Sequence, residues 1–128
     1  MNYEIRYSKL NERQKQAVNT IEGPVMVVAG PGTGKTELLS MRAANILRRT
    51  DMLPENILCL TFTESGSIAM QKRLVDIIGR EAYGVSVFTF HAFGSEIISR
   101  YREYFYNGAD FNPADELTRH KIITDILQ

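Results

Sequence analysis

Ala29-Gly30-Pro31-Gly32-Thr33-Gly34-Lys35-Thr36 decides how the rest of the chain is read. Glycines at 30, 32 and 34 let successive backbone N–H groups converge on one point with no Cβ in the way. Upstream, Pro24-Val25-Met26-Val27-Val28-Ala29 is a continuous apolar, β-branched run that predicts a strand covered on both faces. Downstream, Leu38, Leu39, Ala43, Ile46 and Leu47 recur at helical spacing. A glycine-rich turn from strand to helix is where a helix N-terminus, with unsatisfied donors and partial positive charge, receives a phosphate. Lys35 then reaches toward the β- and γ-phosphates of a nucleoside triphosphate, and the Thr36 hydroxyl is the expected Mg²⁺ ligand. Ala29 stands where the general pattern has Gly, so the pattern is met in its relaxed form. The competing reading is a glycine-rich turn that holds no ligand.

Outward from this loop the strand–helix unit repeats. Ile57-Leu58-Cys59-Leu60-Thr61-Phe62 predicts a second strand, followed by a helix over about 65–78 with Ile68, Met70, Leu74, Ile77 and Ile78 buried and Gly79 at its end. Val85-Ser86-Val87-Phe88-Thr89-Phe90 predicts a third, and Phe93, Ile97, Tyr101, Tyr104 and Phe105 mark the helix after it. Before the loop, Asn11 caps a helix within Leu10–Ile21 that places Ala17, Val18 and Ile21 on one face, and the residues ahead of it read as a loop. Asn107 to Pro113 is dense in turn formers. Asn112 as N-cap and Pro113 at the first helical position predict a last helix to Gln128, with Asp115-Glu116 as helix-start acids. The fold class is α/β, a parallel sheet with flanking helices joined by right-handed crossovers. Residues 1–106 form the main body, and 107–128 are a linker and the first helix of something further.

Composition bounds the function. The chain has 128 residues, formal net charge +0 and 44% hydrophobic residues, which excludes wholesale disorder. No global basic field exists, so any nucleic-acid contact is local. The single cysteine, Cys59, lies in an apolar run and fits a reduced, cytoplasmic core residue. No stretch approaches the roughly 20 apolar residues that span a bilayer, and no membrane partner is expected. Hydrolysis of a triphosphate needs a further acid at a strand end to hold Mg²⁺ and aim water, yet neither 57–62 nor 85–90 ends in one. No arginine finger can be named, and His120 has no second ligand at helical spacing.

Four segments resemble, in order and spacing, the UvrD/Rep-type superfamily 1 DNA helicases. Leu10-Asn11-Glu12-Arg13-Gln14 resembles the Q motif, Ala29 to Thr36 motif I, Thr61-Phe62-Thr63 motif Ia and Thr89-Phe90-His91 motif Ib. The resemblance covers about 8–105, and the last helix is similar to the start of the family's inserted helical subdomain. It implies a partial P-loop NTPase (RecA-like) domain. It also implies that Gln14 recognises adenine, where an amide can accept from N6–H₂ and donate to N7. ATP and Mg²⁺ are the implied cofactors, held by Gln14, Ala29, Gly30, Pro31, Gly32, Thr33, Gly34, Lys35 and Thr36. Single-stranded DNA is the implied partner over Thr61, Phe62, Thr63, Thr89, Phe90 and His91. There aromatic faces accept any base and backbone N–H groups and threonine hydroxyls hold phosphates. Core packing is the competing role for Phe62 and Phe90, and Phe93 and Tyr101 read as a buried stripe.

Departures from the family pattern are local. Many relatives read T-F-T-N-K-A-A where this chain has Thr61-Phe62-Thr63-Glu64-Ser65-Gly66-Ser67, losing a basic side chain and adding an acid. Glutamate at this place also occurs in nuclease-linked relatives of the RecB/AddA kind. Glu37 stands where several relatives have an arginine near the adenine. Lys72, Arg73, Arg80, Arg100 and Arg102 read as solvated helix-face charges. The leading expectation is the N-terminal ATP-binding segment of a UvrD-like ATP-dependent 3′–5′ DNA helicase or translocase. On its own the segment is incomplete for hydrolysis and unwinding, the remaining helicase domains lying beyond Gln128. The alternatives are a stand-alone, non-hydrolysing nucleotide-binding regulatory module and the start of a RecB/AddA-like helicase-nuclease. A small P-loop kinase lacks a visible acceptor-site acid.

Overall fold

The computed structural model describes residues 3–32, 34–109 and 114–128. Its elements in chain order are α1 (Tyr3–Ser8), α2 (Glu12–Asn19), α3 (Lys35–Arg49), β1 (Leu58–Thr61), α4 (Glu64–Ile78), β2 (Ser86–Thr89), α5 (Phe90–Arg100) and α6 (Glu116–Leu127), with short 3₁₀ turns between. The residues cluster into two units, Met1–Phe93 and Gly94–Gln128.

In the first unit β1 and β2 run parallel, with Leu58 opposite Ser86 and Thr61 opposite Thr89. α4 makes the crossover between them, as a parallel pair requires. Two apolar clusters lie on either side of α3. Tyr3, Leu10, Val18, Leu38, Met41, Ala44 and Ile77 join α1, α2 and α4 to it, while Ala43, Ile57, Met70, Leu74, Ala82 and Val85 fill the space against the sheet. The α2–α3 packing is pinned by polar bonds. Buried Asn45 donates its Nδ2 to the Val18 carbonyl at 3.0 Å, and Arg42 donates twice to the Thr20 carbonyl at 3.2 and 2.9 Å. Asn11 caps α2 through a reciprocal box. Its side chain accepts the Gln14 N–H and the Gln14 Oε1 accepts the Asn11 N–H, both at 2.9 Å.

Several expectations are corrected. The 24–29 run forms no strand. It is extended but unpaired, with Met26 and Val28 exposed to 88% and 87%, and among the described residues only β1 and β2 form a sheet. The cause is physical: a strand exists only against a neighbour, and no partner strand lies beside this run among the described residues. Residues 3–8, read as loop, are helical because Tyr3 and Tyr7 stack and pack on α3. Leu39 and Ile68 are exposed, since helical periodicity marks a face and not whether anything covers it.

In the second unit α5 ends at Arg100. Tyr101, in the turn after α5, and Tyr104, in the 3₁₀ turn that follows, are exposed and Phe93 is half-buried, so the predicted buried stripe is not formed. α6 is capped by Asp115, whose Oδ1 accepts the Thr118 N–H at 2.7 Å. That hydrogen bond holds the Asp115 carboxyl below its ordinary range. Asn112 and Pro113, expected to start this helix, lie outside the described residues.

Candidate functional site

Gly32 and Gly34 both take positive φ, 73° and 75°, a left-handed backbone that a Cβ would strain. Gly34 is the N-cap of α3 and offers no side-chain cap, so the first N–H groups of a 15-residue helix point outward with no side-chain acceptor from the cap. Pro31-Gly32 forms the turn, Ala29 is half-buried, Gly30 and Pro31 are exposed, and Thr33 lies outside the described residues. Lys35 is exposed and Thr36 half-buried at the rim of a cavity of about 620 Å³, walled by α3, β1 and the start of α4.

A second cavity of about 350 Å³ opens beside Gly34. Arg6, Lys9, Leu10, Gln14, Glu37 and Arg73 line it with Gly34, so Gln14 and the phosphate loop face one space. The capping box fixes the Gln14 carboxamide, whose oxygen accepts the Asn11 N–H. Glu37, in the first turn of α3, is gripped by two arginines. Arg6 Nη1 donates to Oε1 and Oε2 at 2.8 and 2.9 Å, Arg73 Nη1 donates to Oε2 at 2.6 Å, and Asp76 lies 3.9 Å from Arg6 Nη2. Burial pushes the Glu37 carboxyl up, but the hydrogen bonds and charges of the two arginines outweigh it and hold the pKa below the ordinary glutamate value. Arg73, read as solvated from the sequence, is therefore ion-paired. Arg100 likewise pairs with Glu96 at 2.7 Å. Glu37 stood out in the sequence, but Arg6 and Arg73 lie 31 and 36 residues from it, and no local pattern links them.

Parallel pairing brings the third group together, at the C-terminal ends of β1 and β2. The Phe62 and Phe90 rings stand 5.3 Å apart at 41°, and they are 89% and 51% exposed, so they do not pack in the core. His91 is exposed beside them. The threonines are engaged locally. Thr61 Oγ1 lies 2.6 Å from Ser67 Oγ, Thr63 Oγ1 accepts the Gly66 N–H at 3.0 Å, and buried Thr89 accepts the Ala92 N–H at 3.0 Å. Such bonds fix the turns that carry the two phenylalanines.

Both strands end in threonine. Among the described residues no group of three or more His, Cys, Asp or Glu could hold a metal ion. Burial raises the pKa of Cys59, which keeps it a thiol. No helix among the described residues is long and apolar enough to cross a membrane.

A family model described as the UvrD/REP helicase N-terminal domain matches residues 10–128. An ATP-dependent DNA helicase PcrA of Staphylococcus epidermidis is 34% identical over 119 residues, which cover 93% of this chain and 16% of that protein. The PcrA helicase of Staphylococcus aureus strain Mu50 is 33% identical over the same proportions. The chain thus spans about a sixth of the length of these relatives.

Proposed function

The chain belongs to the UvrD/REP helicase N-terminal domain family, and from that premise we propose that it is the ATP-binding N-terminal segment of an ATP-dependent 3′–5′ DNA helicase or translocase. The observation that carries this reading is the left-handed Gly34 that opens α3 onto Lys35 with uncapped N–H groups, beside a cavity containing Gln14. Ala29, Gly30, Pro31, Gly32, Thr33 and Gly34 cradle the phosphates, Lys35 neutralises them and Gln14 reads the adenine edge. Thr36 contributes one hydroxyl to Mg²⁺, which supplies charge neutralisation of the phosphates. With Thr36 as the ligand this reading assigns from the described residues, phosphate oxygens and water would make up the rest of the metal's shell. Single-stranded DNA runs over Phe62, Phe90 and His91, with Thr61, Thr63 and Thr89 setting the backbone beneath it; the exposed, adjacent rings support this. On the same reading 1–106 is the N-terminal part of the ATP-binding domain, and 107–128 is a linker with the first helix of a helical subdomain.

On this reading the acid that aims water, the arginine fingers and the second motor domain come from chain beyond Gln128, and the protein works in the cytoplasm. The test is ATPase activity of the full-length protein with and without single-stranded DNA. DNA-stimulated turnover, lost in Lys35→Ala, supports the reading; ATP binding with no DNA binding and no turnover favours a regulatory nucleotide-binding module instead. The threonine ends of β1 and β2 and the acid Glu64 beside Phe62 are what that second reading has in its favour.

A further inference from the structure

We propose that α1 forms a wall of the nucleotide pocket, with Arg6, clamped by Glu37 beside Arg73, presenting its guanidinium to the base. This rests on the nucleotide-binding reading of the phosphate loop and adds a helix to it: α1 precedes residue 10, where the family match begins.

Position comes first. Glu37 lies two residues after Lys35, so its carboxylate stands in the first turn of a helix that receives anions. Bare, it would repel a triphosphate. Ion pairs with Arg6 and Arg73 offset that repulsion, and the Arg73 pair still neutralises Glu37 when Arg6 is replaced. Both carboxylate oxygens accept from Arg6 Nη1, and Oε2 also from Arg73 Nη1. Held through Nη1 and lining the 350 Å³ cavity, the Arg6 guanidinium has a planar face of the kind that stacks on an aromatic ring. Gln14 lines the same 350 Å³ cavity and provides the edge contact that a stacked base would also need. Arg6 Nε is buried with no hydrogen-bond partner. Groups left so are uncommon in folded proteins, and the unpaired Nε–H is compatible with a guanidinium placed for a ligand as well as for its ion pair with Glu37.

α1 does not depend on Arg6 for its attachment. Tyr3 is buried beneath the Arg48 guanidinium, 4.1 Å from its ring centre, Glu4 accepts from Arg48 at 2.6 Å and the Tyr7 hydroxyl accepts from Asn19 at 2.6 Å. Removing the Arg6 side chain therefore tests the pocket and spares the docking.

The experiment is a pair of affinities on the full-length protein, ATP·Mg²⁺ and inorganic tripolyphosphate, for wild type, Arg6→Ala, Arg6→Lys and Glu37→Gln. The phosphate loop reads both ligands and the proposed wall reads only the one with a base. Arg6→Ala weakens ATP about tenfold, on the scale of a desolvated cation–π contact, and leaves tripolyphosphate within about twofold. Arg6→Lys keeps the charge but not the plane, and behaves like Arg6→Ala. Both ligands are titrated into the same sample, so a loss of folded protein lowers the two signals together and leaves the ratio of affinities intact. An unchanged ratio in all three variants overturns the proposal while leaving nucleotide binding in place. A wild type that binds neither ligand overturns the nucleotide reading as well.

Discussion

At the scale of the residue, Glu37 shows how one acid can sit at an anion site. Its folded pKa lies below its unfolded value because Arg6 and Arg73 together outweigh burial. The stabilisation this represents is complete above the unfolded pKa, about 4.3, and is lost as pH falls through the folded value. Glu37→Gln should therefore lower the melting temperature at pH 7 and narrow the gap from wild type steadily below about pH 4.3, closing it once both proteins carry an uncharged group at 37; melts across that range check it. A gap that stays constant into acid would mean the ion pairs contribute nothing to stability. Residues of this kind divide by how local their signal is. The loop from Ala29 to Thr36 was legible because its chemistry is written in consecutive positions. Arg6 and Arg73 carried no such signal, since what makes them matter is a contact across more than 30 residues.

Elements depend on partners in the same way. α2, α3 and α4 fall close to where hydrophobic spacing and caps put them, because a helix satisfies its own backbone and needs a neighbour for one face only. β1 and β2 were found because they have each other. The 24–29 run is continuous, apolar and rich in valine and yet forms no strand, since backbone pairing lies outside the run itself. Pins between elements are open to direct measurement. Asn45 is 4% exposed and satisfies the Val18 carbonyl across the α2–α3 interface. Asn45→Ala leaves that carbonyl without its donor and opens a small void, at a cost of about 1–3 kcal/mol, read as a shift of the urea midpoint. Asn11→Ala removes an exposed cap and should cost about 1 kcal/mol. If the two shifts come out equal, burial does not set the price of an unmade hydrogen bond here.

For the whole molecule, the apolar surface left open is the informative quantity. Met26 and Val28 are almost fully exposed, and Leu39 and Leu58 line a broad apolar cavity between α3 and β1 while half-exposed themselves. Exposed apolar surface of this extent marks an interaction face, and on the proposed reading the cover is further strands of the same sheet. Amide exchange can decide this, because protection follows hydrogen bonding. In the 128-residue chain the amides of Leu58–Thr61 and Ser86–Thr89 that face the neighbouring strand have partners, whereas the extended 25–29 backbone has none of the sheet's, so 25–29 should exchange quickly while those inward-facing amides supply a protected reference within the same sample. In the full-length protein the 25–29 amides should slow to the rate of that reference. Protection of 25–29 already in the short chain would mean the run finds a partner within it, or in a second copy. Continued rapid exchange in the long protein would mean that the phosphate loop is not anchored by a strand at all. The rigid cradle expected of Gly30 to Lys35 would then lose its foundation, because a helix N-terminus can hold a phosphate in place only if the backbone on both sides of the loop is fixed.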